Sequence, residues 1–148
     1  MSVTIDRLMA QGVVVAQPNH SVTYVRRQMK TLDIHTVPVA DESGAPVGIV
    51  RSRDLLDVSD PETPVAEVMD PNPVTVDRRA DVAAAASLMR RHRQRQAIVT
   101  DGGKIAGIVS AFDFLELLEG YRFQEKEAPE FRTGIFHIGD IPKGPEGS

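Results

Sequence analysis

The sequence contains the same pattern twice, and this duplication restricts the possible folds more than any other feature. At an offset of 60 residues, identical residues align in pairs: Met9 with Met69, Val14 with Val74, Val22 with Val82, Met29 with Met89, Val39 with Val99 and Asp41 with Asp101. A turn that is one residue shorter in the second copy then changes the offset to 59, and Gly48-Ile49-Val50 aligns with Gly107-Ile108-Val109. The period exceeds the roughly 20–50 residues typical of solenoids, and it occurs only twice. The duplication therefore predicts two small subdomains of similar structure.

Each copy is predicted to run strand, helix, strand, strand, helix, which makes the fold class α+β. The first strand covers residues 13–15, and the helix after it has Val22, Val25, Met29 and Leu32 on one side. The second copy shows Val82, Ala85, Ala86 and Met89 at i, i+3, i+4 and i+7. Short apolar strands are predicted at 37–40, 46–50, 97–100 and 104–109, and final helices at 53–58 and 111–121. A unit of ~55 residues is marginal alone, so the copies are expected to bury their sheets against each other pseudosymmetrically as one module.

The predicted organisation is one unit at residues 1–60, a second at 64–121 and a C-terminal tail at 122–148. Two prolines within residues 60–64 interrupt any helix, and Thr63 is expected to cap a helix whose first residue is Pro64. The tail is expected to be partly flexible, because it ends in a Gly- and Pro-rich segment. It also contains an apolar patch that is a candidate for docking, made of Phe131, Ile135, Phe136 and Ile138.

Composition excludes several classes of function. The chain has no cysteine, which excludes disulfides, thiolate nucleophiles and Cys-ligated zinc. A net charge of -4 argues against general attraction to nucleic acid or anionic membranes. The longest purely apolar runs are far shorter than the ~20 residues of a membrane-spanning helix, and the N-terminus lacks a signal-peptide pattern. The four histidines lack metal-ligand spacing. We expect a cytoplasmic protein that is not an enzyme, needs no cofactor and holds no metal.

The sequence resembles tandem CBS-domain proteins, or Bateman modules, over about residues 3–120. The resemblance rests on Leu8-Met9 and Val68-Met69, on residues 35–39 with Asp41 and Gly44, and on two copies of one motif. The copies are Gly48-Ile49-Val50-Arg51-Ser52-Arg53-Asp54 and Gly107-Ile108-Val109-Ser110-Ala111-Phe112-Asp113. A single such motif is weak evidence, whereas two at constant offset behind matching elements are strong evidence.

The resemblance implies a sensor that binds an adenine-containing ligand, such as AMP, ADP, ATP or another adenosyl compound, in two clefts between the units. In this family an Asp at the start of a helix accepts hydrogen bonds from ribose hydroxyls, and a Ser or Thr three residues earlier suits a phosphate. Carried over by position, the first cleft would use Ile108, Ser110 and Asp113 with Val14, Ile34, His35 and Thr36. The second would use Arg51, Arg53 and Asp54 with Val74, Arg95 and Gln96.

Two residues depart from the family pattern. Arg51 stands where the family prefers Thr or Ser, so it either holds a phosphate by charge or obstructs the second cleft. Ile98 replaces the proline found at Pro38. Both departures favour the first cleft over the second.

Two of these features also have simpler interpretations. Ser110 and Asp113 fit a capping box that needs no ligand, whereas Asp54 has no hydroxyl partner, so capping explains it less well. The basic run at residues 90–95 fits a solvated helix end first, a phosphate contact by Arg95 second and a nucleic-acid patch a distant third.

The last predicted helix has a wider apolar arc than one-sided packing requires, comprising Phe112, Phe114, Leu115, Leu117, Leu118 and Tyr121. The family often dimerises through these helices, so the arc predicts a homodimer surface; cover by the chain's own tail is the alternative. The predicted function is a non-enzymatic sensor that signals to an effector protein. The alternative is a ligand-free pairing or interaction module.

Overall fold

A computed structural model describes residues 3–10, 12–119 and 134–138 of the chain. The strands are β1 (Gly12–Val15), β2 (Thr36–Ala40), β3 (Pro46–Arg51), β4 (Thr75–Asp77), β5 (Gln96–Asp101), β6 (Lys104–Ser110) and β7 (Gly134–His137). The α-helices are α1 (Val22–Leu32), α2 (Val82–Arg91) and α3 (Ala111–Leu118). Three short 3₁₀ helices occupy Ile5–Arg7, Ser52–Leu55 and Val65–Glu67. The mixed α and β class and the repeated order of elements are confirmed.

The final helices of the two copies differ in length. The second copy has α3, whereas the first has only the 3₁₀ helix Ser52–Leu55 in place of the predicted helix at 53–58. The predicted extension of α3 to Tyr121 lies outside the described residues.

The chain forms two compact units whose limits differ from those of the sequence repeats. The first unit comprises Val14–Asn72 with Ile135–Ser148, and the second comprises Met1–Val13 with Pro73–Gly134. We call residues 3–10 and 63–70 the lead-ins, because each precedes a repeat in the sequence. Residues 3–10 belong to the second unit, and residues 63–70 belong to the first unit. Matching hydrogen bonds explain this exchange. The Ile5 N–H donates to the Ala80 carbonyl at 2.8 Å, and the Val65 N–H donates to the His20 carbonyl at 2.8 Å.

Each lead-in buries apolar side chains at the start of its unit's helix. Ile5 and Val65 are fully buried. The expected helix after the boundary is the 3₁₀ helix Val65–Glu67, and Pro64 is the residue before it rather than its first residue. The expectation that Thr63 caps this helix is therefore wrong by one position.

In the first unit, β2 and β3 form an antiparallel pair in which Thr36 lies opposite Arg51. Ala16, directly after β1, bonds to β2 as a parallel neighbour. The core contains the buried face of α1, formed by Val22, Val25 and Met29. Ser21 caps α1 by accepting a hydrogen bond from the Tyr24 N–H at 3.1 Å.

In the second unit, β4, β5 and β6 form one sheet in that order, with β4 parallel to β5 and β6 antiparallel to it. Gln96 lies opposite Ser110, which matches the pairing of Thr36 with Arg51 in the first unit. Ala85 and Met89 of α2 are buried in its core. The predicted helical stripes therefore identify the buried faces of both helices correctly.

The C-terminal segment contributes to the first unit. β7 pairs with β1, and the Ile138 N–H donates to the Val15 carbonyl at 2.9 Å. The Tyr24 hydroxyl donates to the Ile138 carbonyl at 3.2 Å, and the Ile138 side chain is buried in the first unit's core. Part of the predicted apolar patch is therefore docked, whereas Ile135 is 41% exposed. Phe131 and the rest of the tail at 122–133 and 139–148 lie outside the described residues.

Candidate functional site

In the second unit, the predicted ligand residues lie where β6 ends and α3 begins. The Ser110 hydroxyl accepts a hydrogen bond from the Asp113 N–H at 3.3 Å, and Asp113 Oδ2 accepts one from the Ser110 N–H at 2.8 Å. This reciprocal pair is a capping box. Both side chains are half-buried, and Ile108 precedes them on β6. The capping interpretation is therefore confirmed, and it holds the hydroxyl and the carboxylate at a helix N-terminus.

The first unit has half of the same arrangement. Asp54 Oδ2 accepts a hydrogen bond from the Arg51 N–H at 2.9 Å. A guanidinium has donors only, so Arg51 cannot return the bond that Ser110 makes. Capping therefore explains Asp54 less completely than Asp113, as expected from the missing hydroxyl, although the carboxylate of Asp54 bonds to the backbone as that of Asp113 does.

Arg51 is folded onto its own unit. Its side chain is only 14% exposed, and Nη1 lies 3.8 Å from Asp70 Oδ2. The carboxylate of Asp70 therefore offsets the positive charge that was predicted for a ligand phosphate. Arg53, the other predicted arginine of this motif, is exposed. Sequence comparison of the repeats gives no sign of the Asp70 partner, because Asp70 aligns with Ala10.

The residues at the start of β2 and β5 lie beside the motif of their own unit. The Ser52 N–H donates to the His35 carbonyl at 2.9 Å, and the Ala111 N–H donates to the Arg95 carbonyl at 2.7 Å. Residues 34–36 are therefore adjacent to residues 51–54, and residues 95–96 to residues 110–113. The predicted clefts combine residues of both units, and that combination stays a prediction.

The His35 imidazole is exposed at 78%. Its Nε2 lies 4.0 Å from Asp33 Oδ1, and its Nδ1 lies 3.5 Å from the Ser52 hydroxyl. Both distances lie at the upper limit for an ion pair or a hydrogen bond. Within the described ranges, no group of three or more His, Cys, Asp or Glu side chains is placed to hold a metal ion.

The replacement of proline by Ile98 changes the backbone bonding of the second unit. The Ile98 N–H donates to the Val74 carbonyl at 2.8 Å. Pro38 has no N–H and cannot make the equivalent bond to Val14. The two valines predicted to line the clefts therefore have different backbone surroundings, and Val74 is also the more buried of the two.

The first glycine of each motif packs closely against a methionine of the lead-in. A Cβ on Gly48 would lie 2.4 Å from Met69 Sδ, and a Cβ on Gly107 would lie 2.6 Å from Met9 Sδ. This contact explains why Met and Gly recur together in both copies, a link that sequence comparison alone does not reveal. The methionines fix the strand that leads into each candidate site.

In the described part of the chain, no helix is both long and apolar enough to cross a membrane.

The family model for the CBS domain matches residues 5–60 and 65–120. Inosine-5′-monophosphate dehydrogenase from Mycobacterium bovis is 32% identical over 110 residues, which cover 73% of this chain and 21% of that enzyme. The chain therefore spans about a fifth of the length of this curated relative.

Two solved structures share the fold. The CBS-domain pair of protein MJ0100, in complex with 5-methylthioadenosine and S-adenosyl-L-methionine, is 22% identical with a TM-score of 0.72, covering 82% of this chain and 100% of that one. CBSX2 in complex with AMP is 24% identical with a TM-score of 0.71, covering 79% of this chain and 96% of that one. Two consecutive family matches, over repeats that each carry the same capped Asp motif, establish that the chain belongs to the CBS-domain family and contains two CBS domains.

Proposed function

We propose that the chain is a cytoplasmic, non-enzymatic regulatory module that binds an adenine nucleotide or related adenosyl compound and signals to an effector protein by a change of conformation. The observation that carries the proposal is the duplicated motif, in which a carboxylate is held at the first helical turn after a strand in both units. Proteins of the same fold bind AMP, or 5-methylthioadenosine and S-adenosylmethionine, which supports an adenosyl ligand.

The chemistry of Asp113 supports a contact to ribose. Oδ2 already accepts the Ser110 N–H, and each carboxylate oxygen has two lone pairs. Within the described ranges Oδ1 accepts no hydrogen bond, so it is open to a vicinal diol. The N-terminus of α3 favours a phosphate nearby through the helix dipole, while the N–H groups of Ala111 and Asp113 are already bonded to the Arg95 carbonyl and the Ser110 hydroxyl. The proposed first cleft combines Ile108, Ser110 and Asp113 with Val14 and residues 34–36.

The proposed second cleft, with Arg51, Arg53 and Asp54 opposite Val74, Arg95 and Gln96, offers different charge. Asp70 offsets Arg51, but Arg53 and Arg95 still outnumber Asp54, whereas the first cleft has the carboxylate of Asp113 and no arginine. The second cleft is therefore expected to favour the more anionic ligand. Adenosine and S-adenosylmethionine are the probes of this difference, with ATP as the anionic comparison.

Isothermal titration with AMP, ADP, ATP, adenosine and S-adenosylmethionine tests the proposal. We expect at least one of them to bind, and Asp113→Ala to weaken that binding. Absence of binding by all five, or unchanged affinity in Asp113→Ala, contradicts it. A native mass spectrum would identify a ligand retained through purification.

We also propose that the module pairs with a second copy through α3. Phe112 and Leu118 are 77% and 83% exposed, and Leu115 is 44% exposed. These residues recur at i, i+3 and i+6 and form one apolar face. Leu56, 76% exposed in the first unit, aligns with Leu115 and supplies a matched control. In sedimentation velocity, Leu118→Asp is expected to give monomers and Leu56→Asp to leave dimers; a monomeric parent protein refutes the pairing.

A ligand-free interaction module is the second candidate. The ion pair of Arg51 with Asp70 favours it, because a cleft residue that is satisfied internally needs no ligand. A protein that dimerises but binds none of the five compounds would support this alternative.

A further inference from the structure

The end of α2 carries a concentration of arginine that the fold itself does not require. Arg90 and Arg91 form the last turn of α2, His92 caps it, and Arg93 follows. The aligned residues of the first repeat are Lys30, Thr31, Leu32 and Asp33, where α1 ends at Leu32 and Asp33 is the C-cap. The first repeat therefore serves as an internal control, showing that this helix end forms with a net charge of zero.

The charged groups of this run are available to a partner. Arg90, Arg91 and Arg93 are all exposed. Within the described ranges, no carboxylate lies within ion-pair distance of any of the three. By contrast, Arg78 and Arg79 of the same unit are both engaged with Asp101 at 3.3 Å. The unit thus neutralises Arg78 and Arg79, whereas Arg90, Arg91 and Arg93 face solvent.

The helix dipole accounts for only part of this charge. Cations in the last helical turn are stabilised by about 0.3–1 kcal/mol, and the effect fades within that turn. Arg93 lies beyond the helix end and gains little from it, while three neighbouring cations repel one another. In the first repeat, Lys30 is the one basic residue in the last turn of α1.

The backbone at Arg93 adds an independent observation. Its φ is +54°, in the left-handed region. The aligned Asp33 has φ +53°, and Asp is several-fold enriched in this region, whereas glycine is the least strained choice. The second repeat therefore has an arginine where a glycine would relieve strain. Backbone preference therefore does not account for the arginine at this position.

We propose that the surface formed by Arg90, Arg91 and Arg93 is a docking site for an acidic segment of a partner protein. All three cations are arginines, whose planar guanidinium pairs bidentately with carboxylates. The run contains no Phe, Tyr or Trp to stack on a base and no apolar side chain to enter a membrane. The net charge of -4 disfavours long polyanions but not a short acidic segment that meets one patch. The site does not depend on ligand binding between the units.

The test uses the full chain and a fluorescent peptide of alternating Asp and Glu with Gly-Ser spacers. The variant Arg90→Gln/Arg91→Gln/Arg93→Gln removes three positive charges from the surface. The control Arg27→Gln/Lys30→Gln/Lys104→Gln removes three exposed positive charges elsewhere, so both proteins have the same net charge. Fluorescence anisotropy gives the affinities, and amide chemical shifts locate the peptide.

We expect the first variant to bind the peptide at least about tenfold more weakly, because charge-assisted hydrogen bonds are lost. The control is expected to lose less than about threefold, since only long-range attraction changes. The parent protein's binding should weaken as salt rises, and shifts should centre on residues 90–93. Equal losses in both variants, or shifts elsewhere, overturn the proposal. Tighter binding to single-stranded DNA or to phosphatidylserine vesicles, abolished only in the first variant, also overturns it by assigning the surface to another class of partner.

Discussion

The contact between methionine and glycine predicts that the same substitution has unequal costs in the two units. In Gly107→Ala the new Cβ meets Met9 Sδ at 2.6 Å, while the Ala10 carbonyl oxygen lies 3.4 Å away. Only a flexible side-chain end must move. In Gly48→Ala the Cβ meets Met69 Sδ at 2.4 Å and also the Asp70 carbonyl oxygen at 2.9 Å. Backbone must move there as well.

The magnitude follows from overpacking, which costs about 1–3 kcal/mol. We expect Gly107→Ala near 1 kcal/mol and Gly48→Ala near 3 kcal/mol. The greater cost arises because the Asp70 carbonyl also accepts the Ile49 N–H at 3.0 Å, and displacing it strains that bond. For a chain of this size, a difference of about 2 kcal/mol lowers Tm by roughly 4–8 °C.

Urea denaturation of single and double variants tests the reasoning. Met9→Ala should recover most of the cost of Gly107→Ala, because it removes the one close contact. Met69→Ala should recover only part of the cost of Gly48→Ala, because the Asp70 carbonyl stays. Equal costs for both glycines, or full recovery of Gly48→Ala by Met69→Ala, would refute the reasoning.

Three further predictions concern local features of the units. Arg93→Gly relieves a positive φ of 54° and should raise the unfolding free energy by up to about 1 kcal/mol in urea; a loss of stability would show that the guanidinium contributes to the fold. Hydrogen bonds from the Ser43 hydroxyl and the Ala45 N–H lower the pKa of Asp41 in the folded protein. The ionised carboxylate therefore stabilises the fold at pH values above the pKa of Asp in the unfolded chain, and this stabilisation is lost as the pH falls through the pKa of Asp41 in the folded protein. The stability difference between the parent protein and Asp41→Asn should therefore be largest near neutral pH and shrink below about pH 4; a difference independent of pH contradicts it. Ile138→Ala should cost about 2–5 kcal/mol, the usual range for a buried isoleucine, and a negligible change in urea would mean that Ile138 does not stabilise the first unit.

The duplication allowed much of the fold to be predicted from sequence. Helical spacing identified the face of α1 and α2 that packs inward, because residues at i, i+3, i+4 and i+7 lie on one side of a helix. Leu32, Val82 and Ala86 of those stripes are only partly buried. The exchange of lead-ins was not predictable in this way, since Ile5 and Val65 fit either unit equally well by composition. Only the hydrogen bonds to Ala80 and His20 determine which unit each one joins.

The candidate site was predictable to a similar extent. The capping box of Ser110 and Asp113 follows from local spacing, because its partners are three residues apart. The pairing of Arg51 with Asp70 does not, since it depends on a carboxylate outside the motif and absent from the matching position of the other repeat. The shorter final helix of the first repeat was missed for a related reason. Residues 53–58 have helical spacing, but the 3₁₀ helix ends at Leu55, whose carbonyl accepts a hydrogen bond from the distant Arg26 guanidinium.

The most direct test of ligand binding separates the two roles of Asp113. Asp113→Asn keeps an amide oxygen that can accept the Ser110 N–H, and so preserves the cap, but it removes the carboxylate charge. Asp81→Asn is the matched control, because it makes the same substitution at the N-cap of α2, outside both proposed clefts. We expect calorimetry with the best-binding adenosyl compound to show a loss of roughly 10-fold or more for Asp113→Asn, the value of a charged hydrogen bond, with little change in Tm. Unchanged affinity in Asp113→Asn would leave Asp113 as a capping residue alone and contradict the proposed function.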